Sequence, residues 1–197
     1  MSEFFLELFS EEIPASLQQN ARNTLLESFQ KLFQEKQVTF KKSSSFSTPN
    51  RLIIIFEGLS KEIIQKAEDI KGPNINSPEK AIEGFLRSNQ IDKKNLLKKK
   101  IEKGEFYFFK KPSKKISTIN LLEEHVPLML NKLQWKKSMK WGSYSLNWGR
   151  PLKSILAVFN GKSLSFTFHH LTSSNTTFTD KEFEDKKKIF KDFKSYK

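Results

Sequence analysis

Residues 4–14 read FFLELFSEEIP, and this stretch sets the beginning of the fold. Its first part, Phe4 to Phe9, is rich in residues that favour β-strands. Pro14 then suits the first turn of a helix, because its fixed φ and missing N–H cost nothing there. The stretch therefore predicts a strand that is followed directly by a helix.

The predicted helix depends on the spacing of the apolar residues after Pro14. They recur at intervals of four and three residues, which places them on one face of a helix of about five turns. These residues are Leu17, Ala21, Leu25, Phe29, Leu32 and Phe33.

Two strands are predicted after this helix. The first runs from Val38 to Phe46, and residues 47–50 end it. The second, Leu52 to Phe56, is continuously apolar, as in a buried strand, and it stops at Gly58. The order strand, helix, strand, strand predicts an α+β fold, with mixed or antiparallel sheets and packed helices.

Four further elements are predicted downstream. Ser77-Pro78-Glu79 indicates a helix start with Ser77 as the cap, and Gly104-Glu105 indicates a hairpin. A helix with a kink at Pro127 is expected over Thr118–Leu133. Asn160-Gly161 is typical of a two-residue turn between strands.

The end of the chain is predicted to be helical. Phe183, Ile189, Phe190 and Phe193 have helical spacing within residues 181–197, and no capping element follows them. The expected organisation is therefore one α+β region, residues 1–175, with sub-lobes 1–60 and 61–175. Residues 176–197 are expected to begin a following helical segment that is truncated.

The charge of the chain is unevenly distributed. The 197 residues contain 35 Lys or Arg and 22 Asp or Glu, which gives a formal net charge of +13. Much of the excess lies in residues 93–115, with ten Lys against Glu102 and Glu105. Such a band can attract phosphates, and the candidate RNA contacts in it are Lys98, Lys99, Lys100, Lys110 and Lys111. The alternative is a solvated lysine-rich hairpin, because Lys supplies charge without the bidentate geometry of Arg.

Several classes of protein are excluded or disfavoured by composition. The chain has no Cys, so it has no disulfide framework and no thiol nucleophile. No apolar run approaches the roughly 20 residues of a membrane span, and the acidic N-terminus is unlike a signal peptide. These features predict a cytoplasmic protein without a membrane partner.

No catalytic constellation is found, and no catalytic, cofactor or metal residue is predicted. His169 and His170 are adjacent, so on a strand they would point to opposite faces. Glu7, Glu11 and Glu12 could be paired carboxylates, although an interaction of Glu11 and Glu12 with the following helix is favoured.

Two short stretches are candidates for RNA contact. Thr48-Pro49-Asn50-Arg51-Leu52 places Arg51 at the entry of a buried strand. The second stretch contains Trp141 and Arg150, and aromatic residues with Arg can clamp a nucleotide or an RNA backbone. The alternative is a structural role, with Trp141 in the core and Arg150 in an internal ion pair.

The same stretches carry a resemblance to the β subunit of bacterial heterotetrameric glycyl-tRNA synthetase. LELFSEEIP resembles its opening LLEIGTEELP, and TPNRL at residues 48–52 resembles its TPRRL. KGP at residues 71–73, AIEGF at residues 81–85, which resembles its A-x-G-F helix, and GEF at residues 104–106 follow in the same order. MKWG at residues 139–142, with Arg150-Pro151, resembles MRWG and its later RP.

The resemblance implies an enzyme that joins glycine to tRNA(Gly) with ATP. In that family the active site, with ATP and glycine, belongs to a separate α subunit, and the two chains assemble as an α2β2 tetramer. The β subunit handles tRNA binding and assembly. The resemblance thus implies that this chain is the N-terminal portion of such a subunit, binds no cofactor and is inactive alone, with tRNA rather than DNA as its partner.

The sequence departs from the family in three places. One Arg of TPRRL is Asn50 here, the Arg of MRWG is Lys140, and a GHRF segment expected near residues 174–180 lacks its His-Arg pair. Two other hypotheses remain: a free-standing basic domain that binds RNA or protein, and a structural fragment without activity.

Overall fold

The computed structural model describes residues 2–65, 67–101, 104–111, 113–179 and 186–197. The helices in this part are α1 (Ala15–Glu35), α2 (Glu79–Asn89), α3 (Thr118–Lys132) and α4 (Phe193–Tyr196). Its strands are β1 (Glu3–Ser10), β2 (Lys42–Thr48), β3 (Arg51–Glu57), β4 (Glu62–Gln65), β5 (Glu68–Asn74), β6 (Leu96–Ile101), β7 (Gly104–Lys111), β8 (Lys114–Ser117), β9 (Leu152–Phe159), β10 (Lys162–Ser163), β11 (Thr167–Phe168), β12 (Leu171–Thr172), β13 (Thr176–Phe178) and β14 (Lys187–Ile189). The expected α+β class and the β1-α1-β2-β3 start are confirmed.

The chain divides into two units, residues 1–63 with 116–197 and residues 64–115. The expected sub-lobes 1–60 and 61–175 do not coincide with them. Because β9 pairs with β1 along its whole length, residues 116–175 group with the first 63 residues instead of with the segment before them. The second unit is thus an insertion in the sequence of the first.

The first unit contains a five-stranded sheet in the order β10-β9-β1-β3-β2. β1 lies between β3 and β9 and is antiparallel to both. This central position explains its sequence, because a strand buried on both faces is apolar almost throughout and lacks simple alternation. The buried polar residues of β1 are Glu7, which is 0% exposed, and Ser10 at its end.

One face of this sheet is covered by α1 and α3. Phe4, Leu6 and Leu8 point to this face and belong to the main core. The predicted inward residues of α1 are confirmed, since all six are buried: Leu17, Ala21, Leu25, Phe29, Leu32 and Phe33. The phenylalanine rings interlock across the layers, with the centroids of Phe33 and Phe56 4.8 Å apart at an interplanar angle of 87°.

The opposite face of the sheet is covered by the end of the chain. Phe5, Ile53, Ile55, Leu156 and Val158 form a second buried cluster there. Three aromatic residues pack over it: Phe190, Phe193 and Tyr196.

This packing corrects the prediction of a helix over residues 181–197. Residues 186–197 contain strand β14, which pairs with β13, and only a four-residue helix, α4. The aromatic residues whose spacing suggested a longer helix cover the sheet face instead. Residues 181–185, with Phe183, lie outside the described residues.

Other predictions for the first unit are confirmed with small shifts. α3 begins at Thr118 and continues through Pro127, and its buried apolar residues are Leu121, Leu122, Val126, Met129 and Leu130. Asn160 and Gly161 have φ values of +50° and +79° and connect β9 to β10, as expected for a primed turn. The strand expected at Val38 starts only at Lys42.

The second unit contains a three-stranded antiparallel sheet in the order β5-β7-β6. The hairpin predicted at Gly104 is the β6–β7 connection. α2 begins at Glu79, and Pro78 rather than Ser77 occupies its N-cap position, so the expected serine cap is wrong. Of the residues in α2, only Ile82 is buried.

Candidate nucleic-acid interface

The sheet of the second unit has two unlike faces. On β5, a Cβ atom at Gly72 would lie 3.0 Å from the ring of Phe85, so α2 covers the face towards which Gly72 is directed. Side chains alternate along a strand, and Lys71 is paired with Phe108 of β7. Lys71 and Phe108 therefore lie on the face opposite α2.

The register extends this second face across all three strands. Lys99 is paired with Phe106, and Asp69 with Lys110. We call the surface formed by Asp69, Lys71, Leu97, Lys99, Phe106, Phe108 and Lys110 the lysine–phenylalanine face.

The alternation separates lysines that are adjacent in the sequence. Lys98 and Lys100 lie on the side of the sheet that carries α2, whereas Lys99 lies on the lysine–phenylalanine face. Lys110 and Lys111 are divided in the same way. All five predicted lysines are exposed, but the pairing divides them between two faces. Lys99 and Lys110 lie on the lysine–phenylalanine face, and Lys98, Lys100 and Lys111 lie on the side that carries α2.

Lys99 is held in place on this face by Asp69. Its Nζ donates a hydrogen bond to Oδ2 of Asp69, across the intervening strand β7. This hydrogen bond, reinforced by the charge of Lys99, lowers the pKa of Asp69. Both side chains are exposed, at 46% and 42%, so the pair orients Lys99 and contributes little to stability.

Arg51 lies in a buried polar cluster of the first unit. Its Nη1 donates to Oε2 of Glu7 at 2.8 Å and to Oγ1 of Thr177 at 3.1 Å. Its Nη2 donates to the carbonyl oxygen of Phe178. Thr177 and Tyr196 donate their hydroxyl groups to the two oxygens of Glu7. The side chain of Arg51 is only 16% exposed, and these contacts fix its guanidinium group within the first unit. The predicted tRNA contact of Arg51 stays a prediction.

The cluster also perturbs Tyr196. Burial, followed by the negative charge of Glu7, raises the pKa of the Tyr196 hydroxyl well above its usual value. The hydroxyl therefore stays protonated and donates to Glu7 over the ordinary pH range. The cluster was not predicted from the sequence, where the one signal for it was a carboxylate in the middle of an apolar strand.

Three of the stretches that carry the family resemblance meet at one end of the five-stranded sheet. The N–H of Ile13 donates to the carbonyl of Pro49 at 2.6 Å, and the N–H of Glu11 donates to the carbonyl of Pro151 at 2.9 Å. Glu11 also pairs with Lys153 at 2.7 Å. These hydrogen bonds therefore connect the segment that follows β1 with the segments that precede β3 and β9.

Trp141 and Arg150 lie in the loop between α3 and β9. Backbone hydrogen bonds of 2.8 and 3.1 Å between Met139 and Trp148 bring the two halves of this motif together. Trp141 packs against the main core, and Nη1 of Arg150 donates to the carbonyl of Gly149 at 2.7 Å. Both side chains are half-buried, so the proposed RNA contact of these residues stays a prediction.

The two histidines occupy the turn between β11 and β12 and not a strand, which corrects the expected strand placement. His169 is exposed, and His170 is half-buried and stacked on Tyr144, with ring centroids 3.7 Å apart. Burial lowers the pKa of His170. Among the residues that the structure describes, no group of three or more His, Asp or Glu could hold a metal ion.

Comparison with known families identifies the chain. The family described as glycyl-tRNA synthetase beta subunit matches residues 4–197. The chain belongs to this family. The glycine–tRNA ligase beta subunits of Rickettsia peacockii and Rickettsia conorii are both 41% identical to it over 197 residues, and that of Rickettsia felis is 40% identical over 199 residues.

The resemblance drawn from the motifs is therefore confirmed. In these alignments the whole of this chain corresponds to 30% of each of the three relatives, so this member of the glycyl-tRNA synthetase beta subunit family spans less than a third of their length. In the described part of the chain, no helix combines the length and apolar character needed to cross a membrane.

Proposed function

We propose that this chain is the tRNA-contacting and assembly region of the β subunit of a glycine–tRNA ligase. The ligase attaches glycine to tRNA(Gly) with ATP in the cytoplasm. The active site, with its ATP and glycine, lies on a separate α subunit, with which the β subunit forms an α2β2 tetramer. The chain by itself binds no cofactor and is inactive.

The proposal depends on the positive charge of the second unit, in a chain that belongs to a family of tRNA synthetase subunits. Residues 64–115 contain 14 Lys or Arg against seven Asp or Glu. The three-stranded sheet carries exposed lysines on both faces. A polyanion such as tRNA binds such a surface through its phosphates and displaces the condensed counterions.

The lysines of β6 and β7 are the proposed phosphate contacts. Replacing Lys98, Lys99, Lys110 and Lys111 with Gln should weaken tRNA(Gly) binding and flatten its dependence on salt, by about one unit of slope for each lysine–phosphate interaction that the variant removes. Fluorescence anisotropy with labelled tRNA at several salt concentrations measures both quantities.

A matched control removes the same charge elsewhere. Lys31, Lys132, Lys136 and Lys162 are exposed residues of the first unit, and their replacement with Gln should leave most of the affinity and the slope. Equal weakening in the two quadruple variants would contradict the placement of the tRNA site.

The position of the active site has its own test. ATP–pyrophosphate exchange dependent on glycine should be absent with this chain alone and should require an added α subunit. Exchange by the purified chain alone would place catalytic residues here and overturn the division of roles.

A further inference from the structure

Two phenylalanine rings lie among the lysines of the lysine–phenylalanine face. Phe106 and Phe108 are two residues apart on β7, and both are half-buried. The Nζ atom of Lys71 lies 3.8 Å from the ring centroid of Phe106, and that of Lys99 lies 5.4 Å from the ring centroid of Phe108. Each ring thus has a cation over it.

These rings lie on the opposite face from the other two aromatic residues of β7. Tyr107 and Phe109 alternate with them along the strand and point to the side that α2 covers. On the lysine–phenylalanine face, by contrast, Leu97 is 49% exposed, and the side chains of Lys99 and Asp69 are 46% and 42% exposed. The rings of Phe106 and Phe108 therefore border an accessible surface.

We propose that the lysine–phenylalanine face binds unpaired nucleotides of an RNA. Bases displace the ammonium groups of Lys71 and Lys99 from the rings of Phe106 and Phe108 and stack there, and Lys71, Lys99 and Lys110 hold the phosphates. The proposal rests on the proposed function in taking an RNA as the partner. Residues two apart on a strand are separated by about 7 Å, so the two rings serve two different nucleotides.

The chemistry of the face favours unpaired nucleotides over a duplex. Aromatic rings stack on the flat surfaces of bases, which a duplex hides between neighbouring base pairs. Lysines on each side supply charge for the backbone without reading base identity. The face is therefore suited to bind RNA loops or ends with little sequence preference.

An acidic protein segment is the competing partner. It would use the lysines but would gain nothing specific from the aromatic character of the two rings. Replacement of Phe by Leu separates the two cases, because it keeps an apolar side chain and removes the stacking surface.

The test compares three probes on the 197-residue chain and its variants. They are a labelled single-stranded RNA of about ten nucleotides, an RNA duplex with the same net charge, and a polyglutamate peptide. Phe106→Leu and Phe108→Leu should each reduce affinity for the single strand about tenfold and leave binding of the duplex unchanged. Phe109→Leu, on the same strand but the opposite face, is the control and should leave both unchanged.

Other results overturn the proposal in distinguishable ways. If the Leu variants lose equal affinity for single strand and duplex, or lose none for the single strand, bases do not stack on these rings. The tRNA site would then depend only on charge. Tighter binding of polyglutamate than of the single strand, with no effect of the Leu variants, identifies a protein-binding surface. Failure of the chain to bind intact tRNA(Gly) would overturn the proposed function as well.

A second measurement does not depend on the folding of the variants. Ultraviolet irradiation of the unmodified chain with a single strand that contains 5-iodouridine should crosslink it to peptides of β7, at Phe106 or Phe108. Crosslinks confined to other peptides would contradict the proposal even if every variant proved unstable.

Discussion

The five-stranded sheet of the first unit and the three-stranded sheet of the second use similar residues in different ways. In the first unit both faces of the five-stranded sheet are covered, one by α1 and α3 and the other by residues 190–196. In the second unit α2 covers one face of the three-stranded sheet, and the other carries lysines beside phenylalanine rings.

A charged residue has different consequences in the two units. Glu7 and Arg51 lie inside the first unit, where burial makes an unpaired charge costly and their pairing necessary. Lys99 and Asp69 lie on the surface of the second unit, where the same type of pair costs little to break. The charged pair of the first sheet is thus enclosed in the protein, whereas the second sheet exposes its charged side chains to solvent.

The largest expected effect comes from removal of the carboxylate of Glu7. Glu7→Ala leaves Arg51 in a buried site without its partner, and should lower the free energy of unfolding by about 3–5 kcal/mol. All three Trp residues are in the first unit, so chemical denaturation followed by tryptophan fluorescence reports this change.

A pair at the surface of the same unit provides the control. Glu11 pairs with Lys153 with side chains 46% and 28% exposed, and Glu11→Ala should cost less than about 1 kcal/mol. Similar destabilisation by Glu7→Ala and Glu11→Ala would show that Glu7 is not a buried partner of Arg51.

Adding one methyl group should destabilise the first unit at Gly149 and stabilise the second unit at Gly84. A Cβ at Gly149 would lie 2.3 Å from a ring carbon of Trp135, so Gly149→Ala should destabilise the first unit by up to about 3 kcal/mol. Gly84 of α2 has nothing within 4 Å of that position, and Gly84→Ala should stabilise the helix by about 0.5–1 kcal/mol.

Tryptophan fluorescence measures the Gly149 variant, and amide hydrogen exchange within α2 measures the Gly84 variant. Weaker amide protection in α2 of the Gly84→Ala variant, or unchanged stability of the Gly149→Ala variant, would contradict the described packing around these two glycines.

A smaller effect should appear at alkaline pH. The pKa of Tyr196 is raised in the folded protein from its ordinary value of 10.0, so above pH 10 the unfolded chain releases this proton first and stability falls. At neutral pH Tyr196→Phe should cost about 1.5 kcal/mol, the contribution of a hydrogen bond to a charged group.

Chemical denaturation of the wild type and of Tyr196→Phe between pH 7 and 11 tests the direction of this pH dependence. The stability advantage of the wild type over Tyr196→Phe should shrink as pH rises above 10. An advantage that grows with pH would mean that the hydroxyl of Tyr196 is not held protonated by burial and Glu7.

The parts of the fold that depend on local pattern could be predicted from the sequence. The spacing of Leu17, Ala21, Leu25 and Phe29 was sufficient for α1, and Asn160-Gly161 for the hairpin. The prediction failed at residues 187–189, which form β14 and pair with β13 instead of continuing a helix. The aromatic residues that follow, Phe190 and then Phe193 and Tyr196 of α4, cover the second sheet face.

The candidate site was predicted less completely, for reasons of distance and register. Nothing near Arg51 in the sequence shows that its partner is Glu7, 44 residues earlier. Similarly, the run Lys98-Lys99-Lys100 looks continuous until the pairing of β6 with β7 sends Lys99 to the opposite face. Lys71, placed over Phe106 by β5, was not among the predicted RNA-binding residues.

Lysine footprinting with tRNA(Gly) examines the placement of the tRNA site on the second unit without any substitution. The chain is acetylated briefly with and without tRNA, and the modified lysines are quantified by mass spectrometry. We expect protection of Lys71, Lys99 and Lys110 on the second unit, and unchanged modification of Lys31, Lys132 and Lys136 on the first. Protection confined to the lysines of the first unit would contradict this placement.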